Sequence, residues 1–169
     1  MNKSIILLIL VLSVGHTTYA QQTSMSDSQI EKILITINQG NIDAATVAVK
    51  KAQHEKVISF ARMMLTDHKK NTSETKKMTK NFSEKSELAD ALKQEAKESN
   101  QELKKVDKAG FDRAYIDQQV LMHGKVLATL NEKLIPNAKS EKLVTHLNST
   151  KAAVSHQLEE VQKISAELN

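Results

Sequence analysis

Val57-Ile58-Ser59-Phe60-Ala61-Arg62-Met63-Met64-Leu65-Thr66-Asp67-His68 sets Val57, Phe60, Ala61, Met64 and His68 on one side of a helix that turns once every 3.6 residues. The stripe runs on through Asn71, Thr75, Met78 and Phe82, which predicts one long helix, the second of the chain. Its neighbours repeat the pattern. Before it, Ser28-x-x-Glu31 reads as a capping box for a helix reaching about Lys51, with Ile30, Ile33, Leu34, Ile37, Asn41, Ala44 and Ala48 on its inner face. Beyond Gly110, Ile116, Val120, His123, Leu127, Leu130 and Leu134 mark a helix that Pro136 should stop. Leu143, Leu147, Thr150, Val154, Leu158, Val161 and Leu168 mark another, from about Asn137.

Between the second and third stripes, Glu84 to Lys108 carries 13 charged residues in 25, with only Leu88, Leu92, Leu103 and Val106 as a thin apolar line. A helix of twenty residues here would travel about 30 Å, most of a bundle's length. Four amphipathic helices joined by one long helical connection predict an all-α, ferritin-like four-helix bundle with its crossover between the second and third helices; a five-helix array is the alternative. Composition agrees. Four Gly and one Pro in 169 residues leave too few turns for a many-stranded β fold, and the absence of Cys excludes disulfides and thiolate chemistry.

Residues 1–20 read as a secretory signal: Lys3, the apolar run Ile5 to Val14, then Thr18-Tyr19-Ala20 before Gln21. The run is half the roughly 20 residues a membrane span needs, so cleavage is expected, with no transmembrane span afterwards. With no Cys to carry a lipid, a lipoprotein is excluded, and the expected location is the periplasm. Residues 21–169 then form a single helical domain of net charge +3. Lys69-Lys70 and Lys76-Lys77-Lys80 lack interleaved aromatics, so they read as solvated helix faces and no nucleic-acid partner is expected.

Asn41, His68 and His123 break otherwise apolar stripes. Counted along their helices from the first turn, they fall at similar depth if the second and third helices run parallel. Buried imidazole and amide groups need hydrogen-bond partners or a metal, since each unpaired one costs a few kcal/mol. Two readings stand: a polar layer that fixes helix register, or a transition-metal site anchored on His68 and His123. Met64, four residues before His68, is the thioether that a copper(I) version would use, and also an ordinary core filler. His156 and Glu159 are spaced for one face of the last helix, but the wheel turns His156 toward solvent; His54 and His146 rank lower still. No Glu-x-x-His occurs, which argues against di-iron chemistry. Gly-x-Ser-x-Gly and Gly-rich phosphate loops are also absent, so a binding role is expected rather than an enzyme.

Phe60-Ala61-x-x-Met64-x-x-Asp67-His68, Gly110-Phe111-Asp112-x-x-Tyr115 with His123 eight residues on, and His156 together resemble the secreted bacterial family called domain of unknown function 4142. The resemblance covers about Ile30 to Ile164. It implies a ferritin-like bundle in the periplasm without an established activity, and it carries over Asp67, His68, Asp112, Tyr115, His123 and His156 as family-pattern positions. Where relatives often hold an acidic residue in the first helix, the aligned place here is Asn41. Two functions follow as expectations: a metal or small-ligand binder through the buried histidines, or an envelope chaperone-like module binding a protein partner by lifting the charged 84–108 segment. The bundle itself is expected to be monomeric or weakly associating.

Overall fold

The chain's structure, a computed structural model, describes residues 24–79 and 83–168. The expected leader and its cleavage site, and the positions Lys80 and Phe82, lie outside them. Among the described residues there are five long helices and no strand: α1 (Asp27–Lys51), α2 (Glu55–Lys76), α3 (Glu87–Lys105), α4 (Lys108–Thr129) and α5 (Glu141–Glu167). No helix among them is long and apolar enough to cross a membrane.

The ends of the helices correct four expectations. The capping box is Ser26-x-x-Gln29, two residues before Ser28: Ser26 Oγ accepts from Gln29 N–H at 3.1 Å and Gln29 Oε1 from Ser26 N–H at 3.0 Å. This register puts Asp27 in the first turn, where a carboxylate suits the helix dipole and also reaches the start of α5. Gly110 does not break the chain; it lies in the first turn of α4, its N–H held by the N-cap Asp107 at 2.8 Å. Pro136 does not meet α4 directly, because the helix first widens into a π turn (Leu130–Leu134) and then tightens into a 3-10 turn (Ile135–Asn137) that holds the proline. Accordingly α5 starts at Glu141 with Ser140 as its cap, not at Asn137.

Pairings across the bundle fix its topology. Phe60 meets Tyr115 and His68 meets His123, so α2 and α4 run parallel. Asp67 meets Gln157 and Asn71 meets Thr150, so α5 runs antiparallel to α2. The connection α3 runs back alongside α1 in the same direction: Gln29 reaches Lys85 O at one end and Lys51 reaches Lys104 O at the other. It is fastened in the middle as well. Asn100 Nδ2 donates to Gly40 O at 3.0 Å, and a Cβ on Gly40 would stand 2.8 Å from that of Ala96, so glycine is what allows this approach.

Two apolar cores lie along the bundle. One gathers Ala44, Ala48, Phe60, Met64, Phe111, Tyr115 and Val161; the other gathers Ile30, Leu34, Leu130, Leu143 and Leu147. Between them each helix of the bundle turns polar residues inward: Asn38 and Asn41 on α1, His68 and Asn71 on α2, Gln119 and His123 on α4, Thr150 and Gln157 on α5. This belt is where the candidate site sits.

Candidate functional site

A cleft of about 270 Å³ opens on the belt, walled by residues from α1, α2, α4 and α5. Asn41, His68 and His123 line it, together with Asn38, Asp67, Asn71, His146, Thr150 and Gln157, and with Lys70 and Glu74. His68 and His123 are 5% and 2% exposed, and their ring centroids lie 6.3 Å apart. Phe60 sits 6.4 Å from the His123 ring and forms the boundary with the first core.

His68 Nδ1 lies 2.8 Å from Asn38 Oδ1, and His123 Nδ1 lies 2.8 Å from the carbonyl oxygen of Gln119. Both oxygens are acceptors, so in the neutral rings both Nδ1 atoms carry the proton and both Nε2 atoms carry a lone pair. Neither Nε2 has a protein partner. Burial pushes His68 down from 6.5 to about 3, helped by the neighbouring His123. His123 is lowered too: desolvation outweighs the Gln119 carbonyl and the Gln157 side chain, which favour its charged form. At neutral pH the site holds two uncharged imidazoles, the protonation state that metal binding requires.

His146 is the third imidazole of the cleft. It is half-buried, its Nε2 lies 3.0 Å from Thr75 Oγ1, and burial lowers its pKa against the opposing pull of Glu74. No group of three His, Asp or Glu side chains among the described residues comes together to hold a metal ion. A metal here would therefore rest on two imidazoles, with the unpartnered amide oxygens of Asn41 and Gln157 on the same wall.

The remaining sequence candidates separate. Met64 is fully buried in the first core and is not among the residues that line the cleft. His156 is exposed on α5 and stands apart from them; its neighbour Gln157 is the residue that turns inward. Asp67 lines the cleft and accepts from Gln157 Nε2 at 3.0 Å. Asp112 acts elsewhere: its carboxylate accepts from the N–H groups of Gln53 and His54 and so caps the start of α2 from α4. Tyr115 is fully buried, stacked on Phe111, and burial pushes its hydroxyl upward in pKa.

Asn38, Gln119 and Gln157 were not marked as candidates by the stripes, yet each is buried. Their signal is a polar residue at core spacing: Gln119 lies three residues after Ile116 and four before His123, and Gln157 three after Val154 and four before Val161.

No curated protein and no solved structure matches the chain. One family model does, described as Domain of unknown function (DUF4142), over residues 13–164. With nearly the whole chain matched, including every residue that lines the cleft, the protein belongs to the DUF4142 family.

Proposed function

We propose that this is an exported binding protein of the bacterial periplasm, with a ferritin-like bundle, that captures a small ligand in the cleft between α1, α2, α4 and α5, a transition-metal ion being the ligand best matched to its imidazoles. The observation that carries this reading is the pair of buried, neutral histidines whose Nε2 lone pairs have no protein partner on the wall of one cleft. A purely structural polar layer gains by satisfying its groups internally, since an unpaired buried acceptor costs about 1–3 kcal/mol. Here the donor ends are satisfied and the acceptor ends are left for something else.

The alternative, an envelope module that exposes apolar surface by lifting α3, has less support. The Asn100–Gly40 contact and the tie from Lys51 to the end of α3 hold that helix against α1, and Gln118 Nε2 bonds to Ser99 and Asn100 from α4.

Export is tested by fractionation of expressing cells with N-terminal sequencing: a periplasmic chain starting at Gln21 is expected, and a cytoplasmic chain that keeps residues 1–20 overturns it. Binding is tested by equilibrium dialysis against copper, zinc, nickel and iron with elemental analysis. One ion per chain, lost in His68→Ala combined with His123→Ala, is expected. No stoichiometric metal in the wild type would remove the metal reading, and binding retained in the double variant would move it to another site.

A further inference from the structure

The cleft wall contains four polar atoms without a protein partner: Asn41 Oδ1, His68 Nε2, His123 Nε2 and Gln157 Oε1. Each belongs to a side chain with a donor end and an acceptor end, so which end is left over depends on what the other end binds. For three of them the other end is tied directly to a group that can only accept. Asn41 Nδ2 donates to the carbonyl oxygen of Ile37 at 3.0 Å. His123 Nδ1 donates to that of Gln119. Gln157 Nε2 donates to the Asp67 carboxylate.

His68 is tied through three intermediaries. Thr150 Oγ1 donates to the carbonyl oxygen of His146 at 2.9 Å, so its lone pairs accept from Asn71 Nδ2 at 2.7 Å. Asn71 Oδ1 then accepts from Asn38 Nδ2 at 2.7 Å, and Asn38 Oδ1 from His68 Nδ1 at 2.8 Å. With the Thr150 hydroxyl proton on the His146 backbone carbonyl, the chain runs in one direction. Two neutral amides and a hydroxyl thus set the tautomer of an imidazole three side chains away.

Building on the binding reading above, we propose that the cleft is a cation site: the four buried atoms on its wall that lack a protein partner all present lone pairs, a polarity imposed by Ile37, Gln119, Asp67 and, through Thr150, Asn71 and Asn38, by His146. An anion would meet four lone pairs and no donor from these atoms. A cation meets two imidazole nitrogens and two amide oxygens, a donor set suited to first-row transition metals. A small organic ammonium shares the positive charge and offers N–H groups to the same atoms, so the two sources are separated by experiment. In this arrangement Asn38, Asn71 and Thr150 are positioning residues.

The test is nitrogen NMR of the histidine rings in ¹⁵N-labelled protein at neutral pH, before and after adding zinc chloride, methylammonium chloride or sodium phosphate in separate samples. The expected result is that His68 and His123 are both Nδ1–H tautomers in the free protein, that zinc shifts both Nε2 resonances, and that phosphate shifts neither. Movement with methylammonium alone would assign the cation as organic. Thr150→Val should abolish the single-tautomer state of His68 while leaving His123 unchanged, and Thr150→Ser should restore it. An Nε2–H tautomer at either ring, or an unaltered His68 in folded Thr150→Val, overturns the polarity argument while leaving ligand binding as such intact. Phosphate binding at the cleft overturns the cation assignment. If neither cation moves the Nε2 resonances of correctly tautomeric rings, the binding reading falls, and this inference with it.

Discussion

His68 and His123 meet edge to face with ring centroids 6.3 Å apart, and the same offset of 55 residues sets Phe60 against Tyr115 two turns away. Parallel helices in register place both imidazoles at one level, between two apolar cores. Each is then desolvated by its surroundings, and His68 is made harder still to protonate by His123.

Acid should expose this cost in the metal-free protein. With His68 held at about 3 against 6.5 for an ordinary histidine, the unfolded chain takes up the proton first as pH falls. Stability from this source is complete above about 6.5 and is lost progressively as pH drops toward the folded value. Between pH 7 and pH 5, His68 alone should cost about 2 kcal/mol, with His123 adding in the same direction. Asp67, Lys70, Glu74 and His146 also line the cleft and are present in all variants. Urea unfolding at the two pH values should show this loss in the wild type and a much smaller one in His68→Gln with His123→Gln. Equal losses would show that the imidazoles are not buried and neutral.

The glycines of α1 and α4 should respond in opposite directions. Gly124 has nothing within 4 Å of a built Cβ, so Gly124→Ala should gain up to about 1 kcal/mol from helix propensity. Gly40→Ala gains the same term but drives a Cβ to 2.8 Å from Ala96, and overpacking of this kind costs about 1–3 kcal/mol. A net loss is expected, partly recovered by adding Ala96→Gly. Thermal melts of the wild type and these three variants check this; a stabilised Gly40→Ala would mean that α3 does not press on α1.

Asp112 should matter to folding and not to the cleft. It supplies the only side-chain acceptor shown for the Gln53 and His54 N–H groups among the described residues, so Asp112→Ala should cost about 1 kcal/mol, as lost helix caps do, with metal stoichiometry unchanged. Loss of metal from a folded Asp112→Ala protein would make it part of the site.

The long stripes made the helices legible because periodicity is set by burial, which every turn reports. The boundaries were less so. Ser26-x-x-Gln29 and Ser28-x-x-Glu31 are equally good boxes on paper, and what separates them is the reach of Asp27 to the Lys139 and Ser140 N–H groups, over a hundred residues away. Gly110 reads as a break from its propensity, yet the side chain of Asp107 holds its N–H inside the first turn of α4. Within the site, Asn41, His68 and His123 stand out against apolar neighbours. Asn71 and Thr150 were on the same stripes, but their role lies in a hydrogen-bond chain that crosses three helices, which no single-helix pattern contains. Met64 and His68 share one face at a spacing of four residues, but that spacing does not say that the thioether packs into the core below the cleft.

X-ray absorption at the metal edge of the protein loaded with one equivalent of copper or zinc tests the central claim most directly, because it reads the ligand atoms themselves. Two imidazoles with the remaining scatterers nitrogen or oxygen, both imidazoles vanishing in His68→Ala with His123→Ala, is the predicted result. A sulfur scatterer, which would have to come from a methionine such as Met64, or a first shell without two imidazoles, would contradict it.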